Sequence, residues 1–347
     1  MKTLRPLPPV ERVRPGLWSV PVPIPDSPLR YTLSYLYTDD AGVVVVDPGW
    51  DSDSGRAALT EGLAKAGAAV TDVTGVVVTH VHADHHGQSG WLRETAGAWV
   101  AMHPAERDTL PGRVWTGADA AVPGDQRWLR THGVPEADLA ALTVDPDRVG
   151  PLLAMAEPDR LVEDGDRLPI PGHEVHAVWT PGHTPGHLCL HDAGAGALLT
   201  GDHLLPRISP NVGVHGIGDA DPLTRYLDSL RRVAGYAGCE ALPAHEYRFG
   251  DLDARAHALI DHHRERCAEV LAALTEEATA WEVAAQLTWS RGWAALGDMG
   301  RRMALSETLA HLRHLETLGE VAPNSGSPER WRRSPAGETL SAYLNRT

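Results

Sequence analysis

Four potential metal ligands fall within six residues at His80-Val81-His82-Ala83-Asp84-His85, a stretch closed by His86-Gly87 and preceded by the apolar run Val76-Val77-Val78. Imidazole and carboxylate are hard-to-borderline donors that suit zinc, manganese or iron. Crowding them together is costly unless something positively charged sits between them. If a strand leads into this stretch, His80 and His82 project to one side, because side chains alternate with period two. Asp84 and His85 then turn toward a second position. Three later segments share one grammar: an apolar run, a Gly or Pro break, then one ligand-type side chain. They are His183 in Thr180-Pro181-Gly182-His183, Asp202 in Leu198-Leu199-Thr200-Gly201-Asp202 and His245 in Leu242-Pro243-Ala244-His245. Strand ends that feed loops are where rigid scaffolds present reactive groups. A solvated His-rich turn is the plain alternative for the first stretch, and the downstream segments argue against it.

The order His-x-His-x-Asp-His, then His, then Asp, then His resembles the metallo-β-lactamase-fold hydrolases over roughly residues 15 to 250. A fifth segment agrees: Val43-Val44-Val45-Val46-Asp47-Pro48-Gly49 looks like the family's early strand ending in a structural Asp. The resemblance implies that His80, His82 and His183 hold one metal, that Asp84, His85 and His245 hold a second, and that Asp202 bridges them. Asp47 is expected to buttress the metal loop; His187, four residues after His183, is a candidate for supporting the ligands from behind, with a purely structural role as the alternative. His86 is expected to point away, and His203, His215 and Tyr226 are candidates for the pocket only. The bridging Asp and the Asp84-His85 pair mark the two-metal branch, as in hydroxyacylglutathione hydrolase. Zinc β-lactamases themselves place Cys where this chain has Asp202, and Cys189, Cys239 and Cys267 miss every ligand position.

The implied chemistry is hydrolysis with two divalent cations, zinc first, with manganese or iron fitting the same donors. Two such ions generate hydroxide from water at neutral pH and polarise the substrate oxygen. Asp84 is the expected catalytic residue, ligating one ion and orienting the hydroxide. The leading substrate is a small acyl compound, a thioester or a related ester or lactone. An RNA-cleaving phosphodiesterase is the second reading and a β-lactamase-like amide hydrolase the third.

A formal net charge of −15 disfavours a phosphate backbone, which needs clustered Lys and Arg. Lys occurs only at Lys2 and Lys65. From residue 291 onward there are eight arginines and six acidic residues, with Arg330, Arg332 and Arg333 together, a net of about +2. Nucleic acid is therefore not the expected partner; a homodimer is considered. Three cysteines at unrelated spacings form no disulfide framework, and no stretch reaches the eighteen apolar residues of a membrane span. The N-terminus lacks the apolar core of a signal peptide, so the cytoplasm is the expected location.

The elements that must position these residues read as alternating strands and helices. Strands are expected at Leu17 to Val22, Tyr31 to Thr38, Val43 to Val46 and Val76 to Val78, with helices over residues 54 to 66 and Gln88 to Ala96. The family resemblance sharpens this α/β pattern to a four-layer αββα sandwich with the metals at one edge. That catalytic domain is placed at residues 1–250. Its Pro-rich stretch 105–160 is expected as an insertion forming a lid, with Trp115, Trp128 and Leu129 offering an apolar groove. Residues 251–347 are expected as a small C-terminal helical, winged-helix-like domain. Its helices are placed at Asp253 to Thr275, Trp281 to Leu287 and Ser306 to Leu318, the last capped by Ser306.

Overall fold

Strands ending at ligand-type residues share their direction within each of two sheets. A computed structural model describes residues 6–111, 118–145, 155–215 and 220–334. The first sheet has seven strands in sequence order: β1 (Glu11–Arg14), β2 (Leu17–Pro23), β3 (Tyr31–Asp39), β4 (Gly42–Val46), β5 (Val73–Val77), β6 (Trp99–Met102) and β7 (Arg160–Leu161). It is antiparallel up to β4 and parallel from β4 to β7. The second sheet holds β8 (Val175–Trp179), β9 (Leu188–Asp192), β10 (Ala197–Gly201) and β11 (Glu240–Pro243), in the order β11-β10-β9-β8. There β10 and β11 are parallel, and β9 is antiparallel to both β8 and β10. The C-terminal ends of β4 and β5 therefore lie at one edge of the first sheet, and those of β8, β10 and β11 at one edge of the second. Such ends are where α/β sheets bind ligands.

Period-two alternation explains why the sheets meet face to face. Tyr35 and Tyr37, Val44 and Val46, and Val77 share one core cluster with Ala177, Leu188, Leu190, Leu199 and Leu242 of the second sheet. The intervening residues Leu36, Val43, Val45 and Val76 turn the other way and pack with Leu59 and Leu63 of α1 (Asp53–Lys65) and Leu92 of α3 (Ser89–Ala96). Each such buried Leu or Val contributes roughly 1.5–3 kcal/mol relative to exposure. Ser52 caps α1, its hydroxyl accepting the Gly55 amide at 3.0 Å.

The chain divides into two compact units: residues 1–114, 148–210 and 232–255 form the first, and residues 115–147, 211–231 and 256–347 the second. The boundary expected at residue 250 falls at residues 255/256, and two earlier segments join the C-terminal unit. The physical reason is pairing within that unit. Arg302 binds Asp125 at 2.5 Å and the Leu142 carbonyl at 2.9 Å, while its guanidinium lies over Trp128. The Trp281 amide donates to the His132 carbonyl, and that of Glu329 to Thr131. Leu129, expected in an acyl groove, is fully buried here. Trp115 lies outside the described residues.

Helices Leu252–Ala273, Ala280–Ala284 and Asp298–Thr317 precede or flank a three-stranded sheet of β12 (Ala278–Thr279), β14 (Arg330–Arg333) and β13 (Val321–Pro323). This is the expected helix, helix, helix and wing sequence. The largest difference in boundary is in the last helix, which starts at Asp298 behind Gly297, not at Ser306. Ser306 lies in its interior, and its hydroxyl donates to the Met303 carbonyl at 2.9 Å. Two of the three clustered arginines are engaged. Arg330 pairs with Glu282 at 3.1 Å, and Arg333 donates to the Leu271 carbonyl at 2.9 Å. No helix among the described residues is long and apolar enough to cross a membrane.

Candidate metal centre

His80 and His82 lie in the bend after β5 rather than on the strand itself. They still converge, with His80 Nε2 at 2.9 Å from His82 Nδ1. His183, from the loop after β8, brings its Nε2 to 3.1 Å from the same His82 nitrogen. Three imidazoles from two sheets thus place one ring nitrogen each in a single group. His82 is the exposed member, which opens the group to solvent.

Asp84 and His85 ride on α2 (Ala83–His86), a single helical turn. With His245, which follows β11, they form a second group. His245 Nε2 is 3.4 Å from Asp84 Oδ2, and His85 Nε2 is 3.8 Å from the same oxygen. Asp202 lies between the groups. Its Oδ2 is 3.7 Å from His183 Nε2, while its Oδ1 is 3.2 Å from His245 Nε2 and 3.5 Å from His85 Nε2.

The rings are aimed from behind. Asp47 is 2% exposed and adopts φ +51°, a left-handed conformation that Asp tolerates better than most residues. Its Oδ1 accepts the Thr79 amide at 2.8 Å; its Oδ2 accepts the Thr79 hydroxyl at 2.7 Å and His85 Nδ1–H at 2.9 Å. The Thr79 hydroxyl, having given its proton to Asp47, accepts His80 Nδ1–H at 3.0 Å. His245 Nδ1 donates to the Tyr31 carbonyl at 2.9 Å. With Nδ1 committed as the donor in each ring, Nε2 is the nitrogen turned to the group, and it offers a metal its lone pair once any proton there is displaced.

His187 does for Asp202 what Asp47 does for the histidines. Its Nδ1 meets the Thr180 hydroxyl at 2.9 Å, and its Nε2 accepts the Asp202 amide at 3.2 Å. Burial holds its pKa well below the ordinary histidine value, so the ring is neutral and able to accept. Gly201 makes this approach possible: at φ +50° a Cβ there would sit 2.6 Å from His187 Nε2.

The electrostatics are those of a site that demands positive charge. Burial lowers the proton affinity of His85, but the carboxylates of Asp202, Asp84 and Asp47 outweigh it and raise its pKa well above the usual value. Against the same burial, Asp202 and Asp84 push His245 up to about 10. The carboxyl of Asp84, opposed by burial but facing His85 and His245, is held down to about 2. Meanwhile His85 Nε2, His245 Nε2 and Asp202 Oδ1 are buried without a hydrogen-bond partner. Three orphaned polar atoms converging within 3.5 Å are costly in a folded protein unless a ligand satisfies them. The donor set of imidazole nitrogens and carboxylate oxygens fits divalent cations.

All seven ligand positions expected from the sequence are brought together. His86 is buried but belongs to neither group. His203 lies behind His187, ring centroids 5.9 Å apart. His215, exposed, and Tyr226, buried, belong to the second unit. Two residues escaped the sequence reading. Thr79 directly precedes His80 and relays Asp47 to it. Glu106, fully buried, is pushed up to about 6 by that burial and hydrogen-bonds both ligand loops. Its only sequence signal is an acidic residue one turn after an apolar strand.

Comparison with known proteins agrees with this geometry. A metallo-beta-lactamase family protein from Thermus thermophilus is 33% identical, with a TM-score of 0.78 over 93% of this chain and 100% of that one. A beta-lactamase domain protein from Burkholderia ambifaria is 28% identical, with a TM-score of 0.78 over 94% of this chain and 93% of that one. Lactamase-like protein nscB of Neosartorya fischeri is 35% identical over 116 residues, 33% of this chain and 33% of its own. The chain thus spans about a third of the length of that curated relative. The profile of the metallo-beta-lactamase superfamily matches residues 27–245. That span encloses every one of the seven converging side chains and ends on the last of them: the chain belongs to the metallo-beta-lactamase superfamily.

Proposed function

We propose that the protein is a two-metal hydrolase of small acyl substrates, thioesters first, with esters and lactones as close relatives. The observation that carries this reading is the pair of ligand groups with Asp202 between them, its Oδ2 at 3.7 Å from His183 Nε2 and its Oδ1 at 3.2 and 3.5 Å from the His245 and His85 Nε2 atoms. His80, His82 and His183 would hold one ion; Asp84, His85 and His245 would hold the other, with Asp202 reaching both. Bound there, a pair of divalent cations, zinc foremost, supplies Lewis acidity that acidifies water and polarises an acyl oxygen. The chain's own residues do the rest. Asp84, ionised at neutral pH and 17% exposed at its side chain, faces solvent and can accept the proton of an attacking water. Asp47 and His187 keep the ligands in place as charge shifts. The formal charge of −15 and the engagement of Arg330 and Arg333 within their own unit support an acyl substrate over RNA. Three free cysteines fit a reducing compartment such as the cytoplasm.

The test is a hydrolysis panel of acyl-CoAs, acyl-glutathiones, lactones, nitrocefin and short single-stranded RNA on protein of known metal content. Thioester turnover abolished by Asp84→Asn is the expected result. Efficient RNA cleavage exceeding every acyl substrate at low and moderate salt would overturn the substrate class, and fewer than two ions per chain would overturn the two-metal reading.

A further inference from the structure

Glu106 sits on α4 (Pro104–Arg107), the turn after β6, and is fully buried. Burying a carboxylate is costly unless its oxygens are satisfied. Here Oε2 accepts the Val81 amide at 2.7 Å, and Oε1 accepts the Gly186 amide at 2.6 Å. Val81 lies between His80 and His82; Gly186 lies between His183 and His187. One carboxylate therefore ties the loop after β5 in the first sheet to the loop between β8 and β9 in the second. These loops supply all three imidazoles of the first ligand group; a second tie between the same stretches is the Leu188 amide, which donates to the Thr79 carbonyl at 2.9 Å.

The seat is shaped for this contact. A Cβ on Gly186 would come within 2.7 Å of the Glu106 amide nitrogen and of His103 Nδ1, so only glycine lets the loop approach so closely. His103 caps α4 through its Nδ1, which accepts the Ala105 amide at 3.1 Å. Its ring stacks on Trp179 at 5.1 Å with planes 8° apart. Trp179 Nε1 in turn donates to the Pro185 carbonyl at 3.1 Å, next to Gly186. The clasp is closed from both sides.

We infer that Glu106 is a positioning residue for the three-histidine group, fixing the separation of the His80–His82 loop from the His183 loop and thereby the metal affinity of that half-site. This rests on the two-metal reading above. A side chain that merely filled the core would not direct both oxygens at amides one and three residues from ligands. The gap that it governs is short: His82 Nδ1 and His183 Nε2 are 3.1 Å apart. A few tenths of an ångström of relative loop movement alters it.

The experiment measures zinc and cobalt affinity by competition with a chromophoric chelator, in a His245→Ala background that leaves the three-imidazole set as the only intact site. Glu106→Gln keeps the size but turns one amide group toward a backbone N–H. Expected is a loss of roughly 10–100-fold in affinity, the range seen when partners behind a ligand are removed, with altered visible absorption of bound cobalt. Leu59→Ala, a core variant on α1, should lower thermal stability while leaving affinity unchanged. Affinity for Glu106→Gln within about threefold of the background, or a loss matched by Leu59→Ala, would overturn the inference. Should Glu106→Gln not fold, Glu106→Asp, which retracts the carboxylate by one methylene, is judged by the same criterion. If the unmodified protein itself binds fewer than two ions, the two-metal reading has failed instead, and that outcome is recognisable before any variant is made.

Discussion

Replacing Asp47 by Asn isolates what one buried charge does behind the metal centre. The backbone at φ +51° accepts Asn as readily as Asp, so the change tests charge rather than strain. Asp47 accepts three hydrogen bonds, at 2.8 Å from the Thr79 amide, 2.7 Å from its hydroxyl and 2.9 Å from His85. An amide can accept on one side only. Its NH2 group must face either the Thr79 amide or the His85 Nδ1–H, and both are donors. At least one charge-assisted bond, worth about 1.5–3 kcal/mol, becomes a donor–donor contact. The metal-free protein should therefore unfold about 2–4 kcal/mol more easily, seen as a lower denaturant midpoint with an unchanged slope. Loss of the proton acceptor also frees His85 to rotate, and indirectly His80 through Thr79. Affinity at both half-sites should then fall by roughly 10–100-fold, read by chelator competition. Metal-free stability within about 0.5 kcal/mol of the parent, with two ions held as tightly as before, would refute the argument.

Four other outcomes follow from contacts described above. Asp202→Ala should reduce the stoichiometry from two ions to one by elemental analysis and slow hydrolysis by at least roughly 100-fold, because a single carboxylate lies within reach of both groups. Gly201→Ala should destabilise the fold by about 2 kcal/mol or more and impair metal loading, since φ +50° is strained for Ala and its Cβ meets His187 Nε2 at 2.6 Å. Arg302→Leu should cost about 3 kcal/mol in chemical denaturation by leaving the largely buried Asp125 unpaired, while metal content stays at the parent level. Native protein at pH 8 should take up one maleimide by mass spectrometry, at the half-buried Cys239, because burial pushes Cys189 and Cys267 up to about 12; denatured protein should take up three.

The metal centre was largely legible because ligands advertise themselves by side-chain type. His80, His82, Asp84 and His85 are adjacent in sequence, and His183, Asp202 and His245 each close an apolar run that became β8, β10 or β11. Glu106 was not legible, because it acts on backbone amides 25 and 80 residues away and a backbone amide has no residue signature. Four of the seven strands of the first sheet, β2 to β5, were found within a few residues, since their alternation reflects two cores, one on each face; β1, β6 and β7 were not. The insertion, with its scattered prolines, reads from the sequence as loops and short helices, and the length of its first helix was not legible. Pro123 nevertheless lies inside helix Ala118–Thr131, whose partner Arg302 is 177 residues from Asp125. Ser306 looked like a helix cap by residue type. In the structure its hydroxyl bonds back to the Met303 carbonyl, an alternative open to serine inside helices.

Asp47 and Glu106 divide the work of holding this centre in a way that side-chain chemistry explains. Asp47 grips rings: it reaches His85 directly and His80 through the Thr79 hydroxyl, so one charge sets the tautomer of a ligand in each group. Glu106 grips backbone, and so sets distance rather than protonation. Neither role could pass to the ligands themselves, because the carboxylates of Asp84 and Asp202 already face His85 and His245. In the first group three imidazoles turn ring nitrogens toward one another, those of His80 and His183 at 2.9 and 3.1 Å from His82 Nδ1, and like groups so placed repel. Rigid hydrogen-bonded anchors on the far side of each ring and loop are what hold it open against that repulsion.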